Sequence, residues 1–157
     1  MELPVTDYKS AFEALAADPR YQRNLDWGEP RPGHLEGTVR RHIAELERNL
    51  DALRSRLLEM DFWKLKLLVR NHDTFKRDAR LGSSIEDPDS HASLARQFLA
   101  EFCSDPDLLV MVQYHDEPYA LCRQFKSKGK YNQARLDSLL EKIKDWNLFL
   151  AFLIIDG

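Results

Sequence analysis

Val39, Ile43, Leu46, Leu50, Leu53 and Leu57 follow one another at alternating spacings of four and three residues, with Glu and Arg filling many of the positions between. A helix brings residues three and four apart onto one face, so this stretch, predicted as a helix over 38–60, must bury its leucine stripe against other elements. The same rhythm recurs downstream. Asp61 is placed to cap a helix over 62–71, whose Phe62, Leu65 and Val69 share a face with His72. Asp89 or Ser90 opens another, with Leu94 or Ala95, Phe98 and Phe102 inward. Ser104-Asp105-Pro106 ends it and starts the next, where Leu108, Val112, His115, Tyr119 and Cys122 keep the register. Pro118 is expected to kink or break that helix just beyond His115-Asp116. A last helix, about 132–156, turns Leu136, Leu139, Ile143, Trp146, Phe149 and Leu153 inward. A short helix over 8–17, with Thr6 as its N-cap, stops at Asp18-Pro19. No repeat, low-complexity tract or strand pair interrupts the pattern, so the expected fold is an all-α helical bundle.

Two segments lack this rhythm. Trp27-Gly28-Glu29-Pro30-Arg31-Pro32-Gly33 is turn chemistry, a structured loop that delivers His34 and Glu36 to the start of the 38–60 helix. Residues 76–89, with Gly82-Ser83-Ser84 and Asp87-Pro88, are expected to form a mobile loop. At 157 residues the chain reads as one domain, with an N-terminal helix and loop over 1–37 and a core over 38–157; an isolated region of a longer protein would look the same. With 43% hydrophobic and 31% charged residues and a net charge of −3, it is neither disordered nor fibrous, and no charge excess points to a polyanionic partner. The N-terminus resembles no signal peptide, and the longest apolar run, 148–155, is far short of the roughly 20 residues a membrane span requires. A cytoplasmic, non-membrane protein is expected. Cys103 and Cys122 are too few and too isolated for a disulfide framework or a metal-type pair, and read as buried free thiols.

The histidines carry the chemistry. His42 lies at the edge of the leucine stripe, His72 is in register with Phe62, Leu65 and Val69, His91 precedes Leu94 and Ala95, and His115 sits between Val112 and Tyr119. Asp156 continues the seam of Trp146, Phe149 and Leu153. Burying an unpaired polar group costs about 1–3 kcal/mol, more for a charge. A lone inward histidine is most often bonded to a backbone carbonyl, but four on four helices, with an inward aspartate on a fifth, are satisfied together by one metal site between helices. His72-Asp73 needs a partner beside the last turn of its helix, because adjacent helical side chains diverge by about 100°. Imidazole and carboxylate together suit a first-row divalent ion, and Lys76 adds positive charge where a metal-held phosphate would lie.

The order His42, His72-Asp73, Asp156 resembles the H…HD…D signature of the HD-domain metal-dependent phosphohydrolase superfamily. Residues 33–42, Gly-His-Leu-Glu-Gly-Thr-Val-Arg-Arg-His, look like the segment that opens the HD domain of tRNA nucleotidyltransferase/poly(A) polymerase-type proteins. His72-Asp73-Thr74-Phe75-Lys76 is similar to their HDxGK, and Tyr114-His115 to a later YH. Leu35 stands in place of the usual proline and Phe75 in place of glycine, which is expected to alter the turn that presents Lys76. The resemblance implies an HD-type bundle in which His42, His72, Asp73 and Asp156 hold one metal. His91 and His115 would hold a second, with Asp73 bridging; the ions would be one or two of Mn, Fe, Ni, Co, Zn or Mg. It implies hydrolysis of a phosphomonoester or phosphodiester, of a nucleotide or RNA end, with Asp73 and Lys76 catalytic. His34, Glu36, Arg77 and Arg80 would recognise the remainder of a phosphorylated small molecule, nucleotide or RNA.

Two other classes compete. The module would serve as an accessory domain that binds nucleic acid or a nucleotide without hydrolysis, with Lys126, Lys128 and Lys130 as a phosphate-contacting turn. A degenerate HD fold kept as an interaction module is the third.

Overall fold

The computed structural model describes residues 7–32 and 34–157. The described residues form α1 (Tyr8–Ala17), α2 (Pro19–Asn24), α3 (Val39–Leu53), α4 (Glu59–Asn71), α5 (His91–Ala100), α6 (Pro106–Gln113), α7 (Glu117–Lys128), α8 (Gln133–Lys142) and α9 (Trp146–Asp156). Arg54–Arg56 and Lys76–Asp78 are single 3-10 turns, and no strand occurs among the described residues beyond one Arg31–His34 bridge in the entry loop. The fold is all-α, as expected.

α4 is the axis of the bundle. It packs against α1, α3, α6 and α9, while α5 packs against α6. Phe62, Leu65, Leu67, Leu68 and Val69 are buried, so the helix is covered on more than one side. Opposite it stand Ile43, Leu46 and Leu50 of α3 and Phe149, Phe152 and Ile155 of α9. Burial of this kind contributes on the order of 2 kcal/mol per large side chain. The central position brings the C-terminal end of α4, with His72 and Asp73, beside four neighbouring elements. No helix among the described residues is long and apolar enough to cross a membrane.

Three predicted helices are interrupted. The 38–60 helix splits after Leu53; the chain then turns with Leu57 and Leu58 extended, and α4 starts at Glu59, so Asp61 lies inside it and does not cap it. Leu57 packs on the core from the turn, which is why the apolar spacing continues through the break. The 132–156 helix splits at Ile143-Lys144-Asp145. Asp145 caps α9 by accepting from Leu148 N, and the Asp107 carboxylate accepts from Lys144 N at 3.0 Å and Asp145 N at 2.9 Å. Ile143 remains buried, so periodicity again masks the turn. The third break falls at Tyr114–Asp116, upstream of where Pro118 was expected to act. Pro118 is the second residue of α7, where its missing N–H has no helical partner to lose.

At α1 the cap is Asp7, which accepts from Ser10 N; Thr6 lies outside the described residues. Cys103 is buried as expected but Cys122 is exposed, because α7 turns Leu121 to the core instead. The 76–89 loop, expected to be mobile, is tied down: Arg80 N donates to Asp89 O, and Ile85 O accepts from Ser90 Oγ and Gln113 Nε2.

Candidate metal centre

Helix ends supply most of the site. His42 lies in the first turn of α3, whose N-cap Thr38 accepts from Arg41 N. His72 is the C-cap of α4, and Asp73 follows in the turn, so two adjacent residues reach one void as the backbone leaves the helix. His91 opens α5 behind the Ser90 cap, His115 occupies the gap between α6 and α7, and Asp156 ends α9.

Asp73 lies between two pairs of rings. Its Oδ2 is 3.6 Å from His42 Nε2 and 3.5 Å from His72 Nε2. Its Oδ1 is 3.8 Å from His91 Nε2 and 3.4 Å from His115 Nε2. On the first side Asp156 Oδ1 completes the group, 3.2 Å from His42 Nε2 and 3.3 Å from His72 Nε2. All six residues expected to bind metal therefore meet at one place, sorted into His42, His72 and Asp156, and Asp73, His91 and His115.

The outward ring nitrogens fix the tautomers. His72 Nδ1 lies 3.0 Å from the carbonyls of Leu68 and Val69, and His115 Nδ1 lies 2.7 Å from that of Val112. A carbonyl only accepts, so each Nδ1 carries a hydrogen and the neutral ring presents a bare lone pair at Nε2. His42 Nδ1 lies 3.2 Å from Glu36 Oε1. The Nε2 atoms of His42, His72, His91 and His115 are buried and make no hydrogen bond. Lone pairs that face carboxylate oxygens at 3–4 Å repel unless a cation lies among them. Two kinds of cation serve: protons, or a borderline divalent metal whose ligands are oriented from behind in this way. The donor set fits the metal.

Electrostatics record the demand for positive charge. Burial works against charging His72 and His115, but the neighbouring carboxylates, Asp73, Asp156 and Asp116, outweigh it and raise both pKa values; His42 behaves alike. Burial also opposes the charge of Asp73, yet His72, His115 and Lys76 hold it well below the usual carboxylate range. Asp156 is lowered by His42 and His72 against its own desolvation.

The expected substrate residues divide. The centre opens into a cleft of about 680 Å³ lined by His34, Glu36 and Lys76 among others. Lys76 Nζ lies 3.0 Å from Asp73 Oδ2. Phe75 leaves its turn unstrained, because its φ of −103° is one any residue adopts, and its ring is buried against Phe98 with centroids 4.9 Å apart. Glu36 binds His34 Nδ1 as well as facing His42, so it holds a site ring in place. Arg77 and Arg80 do not line this cleft; Arg77 reaches the Arg23 carbonyl and Arg80 pairs with Asp87. Their sequence neighbours face the site, but the 3-10 turn after Phe75 carries both away.

Three residues at the site were not singled out from sequence as site residues. Tyr119 donates to Asp156 Oδ2 at 3.3 Å. Arg123, one turn further along α7, lines the cleft and a second one of about 700 Å³ that meets it at His91 and Asp116, and its guanidinium has no ion-pair partner among the described residues. Asp116 lies against His91 and His115, and its signal in the sequence was the second His-Asp pair. Compared with family models, curated proteins and solved structures, the chain matches none.

Proposed function

We propose that this chain is a metal-dependent phosphohydrolase of the HD type, cleaving a phosphomonoester or phosphodiester. The observation that carries it is the position of Asp73: each of its two oxygens faces its own pair of unbonded histidine Nε2 atoms at the floor of an open cleft. The HD-like order of His42, His72-Asp73 and Asp156 supports the same reading.

Divalent ions held by such a set supply a nucleophile from water near neutral pH and offset the charge of phosphoryl oxygens. The protein's own groups do the rest. Asp73 holds both halves of the site at a fixed separation. Lys76, at the cleft wall, offers an ammonium to a non-bridging phosphoryl oxygen. Arg123 extends positive charge along the cleft for the substrate's remaining anionic groups, the role expected from sequence of Arg77 and Arg80.

The test is hydrolysis of p-nitrophenyl phosphate and of bis(p-nitrophenyl) phosphate by chelator-stripped chain reloaded with Mn, Ni, Co, Fe, Zn or Mg. Turnover that depends on the added ion and disappears in Asp73→Ala, with helical content retained, is the expected result. Equal turnover in that variant would sink the proposal.

A nucleic-acid-binding module without hydrolysis draws on Lys126, Lys128 and Lys130, which are exposed and unpaired among the described residues. It predicts RNA binding that weakens with salt and survives Asp73→Ala; no binding at low salt dismisses it.

A further inference from the structure

Asp116 stands to His91 and His115 as Asp156 stands to His42 and His72. Asp116 Oδ2 lies 3.0 Å from His91 Nε2 and Oδ1 lies 3.5 Å from His115 Nε2. Each half of the centre thus holds two ring nitrogens, one oxygen side of Asp73 and one aspartate of its own.

One observation places Asp116 on the ligand side, and a second leaves its carboxylate available. Groups that merely orient a ligating histidine bind its outward nitrogen, as the Leu68, Val69 and Val112 carbonyls do here. Asp116 instead faces the inward Nε2 atoms, and that of His115, a side chain only 1% exposed, has no hydrogen-bond partner. Second, Asp116 occupies the N-cap of α7, yet its side chain caps nothing. The aspartates at the N-caps of α1, α2, α6 and α9, Asp7, Asp18, Asp105 and Asp145, each accept a backbone N–H. Those four have non-helical backbones, whereas Asp116 is helical at φ −86° and ψ −11°, which takes its side chain away from the first N–H groups of α7 and leaves the carboxylate facing the histidines.

We infer that Asp116 is a protein ligand to a divalent ion held with His91, His115 and Asp73, so that the chain binds two ions in half-sites of matched composition. This rests on the metal-centre reading above. With four protein groups available on each side, both half-sites have a donor set of their own, and the second ion does not depend on substrate to complete its binding.

Calorimetric titration of chelator-stripped chain with Ni²⁺, with bound metal counted by plasma mass spectrometry after desalting, tests it. The wild-type chain takes up two equivalents. Asp116→Ala retains one and weakens the second more than about 100-fold, beyond the 10–100-fold cost of losing an outer partner. Asp116→Asn, which keeps the side-chain shape, guards against a folding defect and weakens the same equivalent at least about tenfold, because a neutral amide oxygen is a poorer donor than a carboxylate. Circular dichroism checks that both variants are folded. Two equivalents in Asp116→Ala, weakened by less than about 100-fold, overturn this inference alone. A single equivalent in the wild type overturns it by removing the second ion, and none at all overturns the metal-centre reading with it.

Discussion

Lys76 Nζ lies 3.0 Å from Asp73 Oδ2, the carboxylate oxygen that also faces His42 and His72. The side chain that bridges the two halves of the centre is therefore shared between the rings and a cation at the cleft wall. An ammonium so placed has two opposite effects. On the proposed function it would repel a metal ion held at Asp73, and it would attract the negative charge of a phosphoryl group arriving at that ion.

These effects separate in Lys76→Met. The variant should bind metal as tightly as wild type or more tightly, since a like charge beside the site is gone. Its turnover of phosphoesters should fall by about 10²-fold, the usual cost of one electrostatic donor. Metal titration alongside kcat measurement checks both. A parallel loss of metal affinity and turnover would make Lys76 a structural partner of Asp73 instead.

Much of this centre was legible in the sequence because its members sit on apolar stripes. His72 follows Leu65 and Val69, and Asp156 follows Phe149 and Leu153, at spacings that leave little choice of direction. Asp116 was not legible in this way. It is the neighbour of His115, which keeps the register of Val112 and Tyr119, and an adjacent helical position points about 100° away from the stripe. The breaks in 38–60 and 132–156 were hidden for the converse reason: Leu57 and Ile143 are apolar residues placed in turns that still face the core. Arg77 and Arg80 follow Lys76 closely in sequence, but a short 3-10 turn is enough to point them elsewhere.

If the centre binds metal as proposed, protons and metal compete for the same nitrogens. In the metal-free fold the carboxylates raise His42, His72 and His115 above the ordinary 6.5. A raised histidine stabilises the fold fully below its unfolded pKa, and that contribution is lost as pH rises through the folded value. Metal binding needs neutral rings and strengthens over the same range. Thermal melting between about pH 6 and pH 8 should show the chelated chain losing stability while its gap to the metal-loaded chain widens. A gap that narrows with rising pH would mean that the ion binds elsewhere.

Phe75 stands where the resemblance led one to expect glycine, yet Phe75→Gly should not improve the turn. The backbone there has negative φ and needs no glycine, whereas the ring is 8% exposed and packed on Phe98. Removing it should cost about 3–5 kcal/mol, with glycine's added backbone entropy on top. Urea denaturation reads the loss directly; an unchanged midpoint would show that the Phe75–Phe98 contact contributes little.

Asp107 ties a distant residue to the centre. Its carboxylate accepts the backbone N–H groups of Lys144 and Asp145, and so sets where α9 begins. α9 ends at Asp156, whose oxygen lies 3.2 Å from His42 Nε2. Asp107→Ala leaves both N–H groups to solvent, and should cost about 1–2 kcal/mol because the site is partly exposed, or roughly 2–4 °C in Tm per kcal/mol. The consequence for metal should be uneven. The half-site of His42, His72 and Asp156 depends on the register of α9, whereas that of His91, His115 and Asp116 is built on α5 and the α6–α7 break. Ni²⁺ titration of this variant should show one equivalent weakened and the other little changed. Uniform weakening of both would mean that α9 supports the whole centre through packing on α4, and that Asp107 does not act through the placement of Asp156.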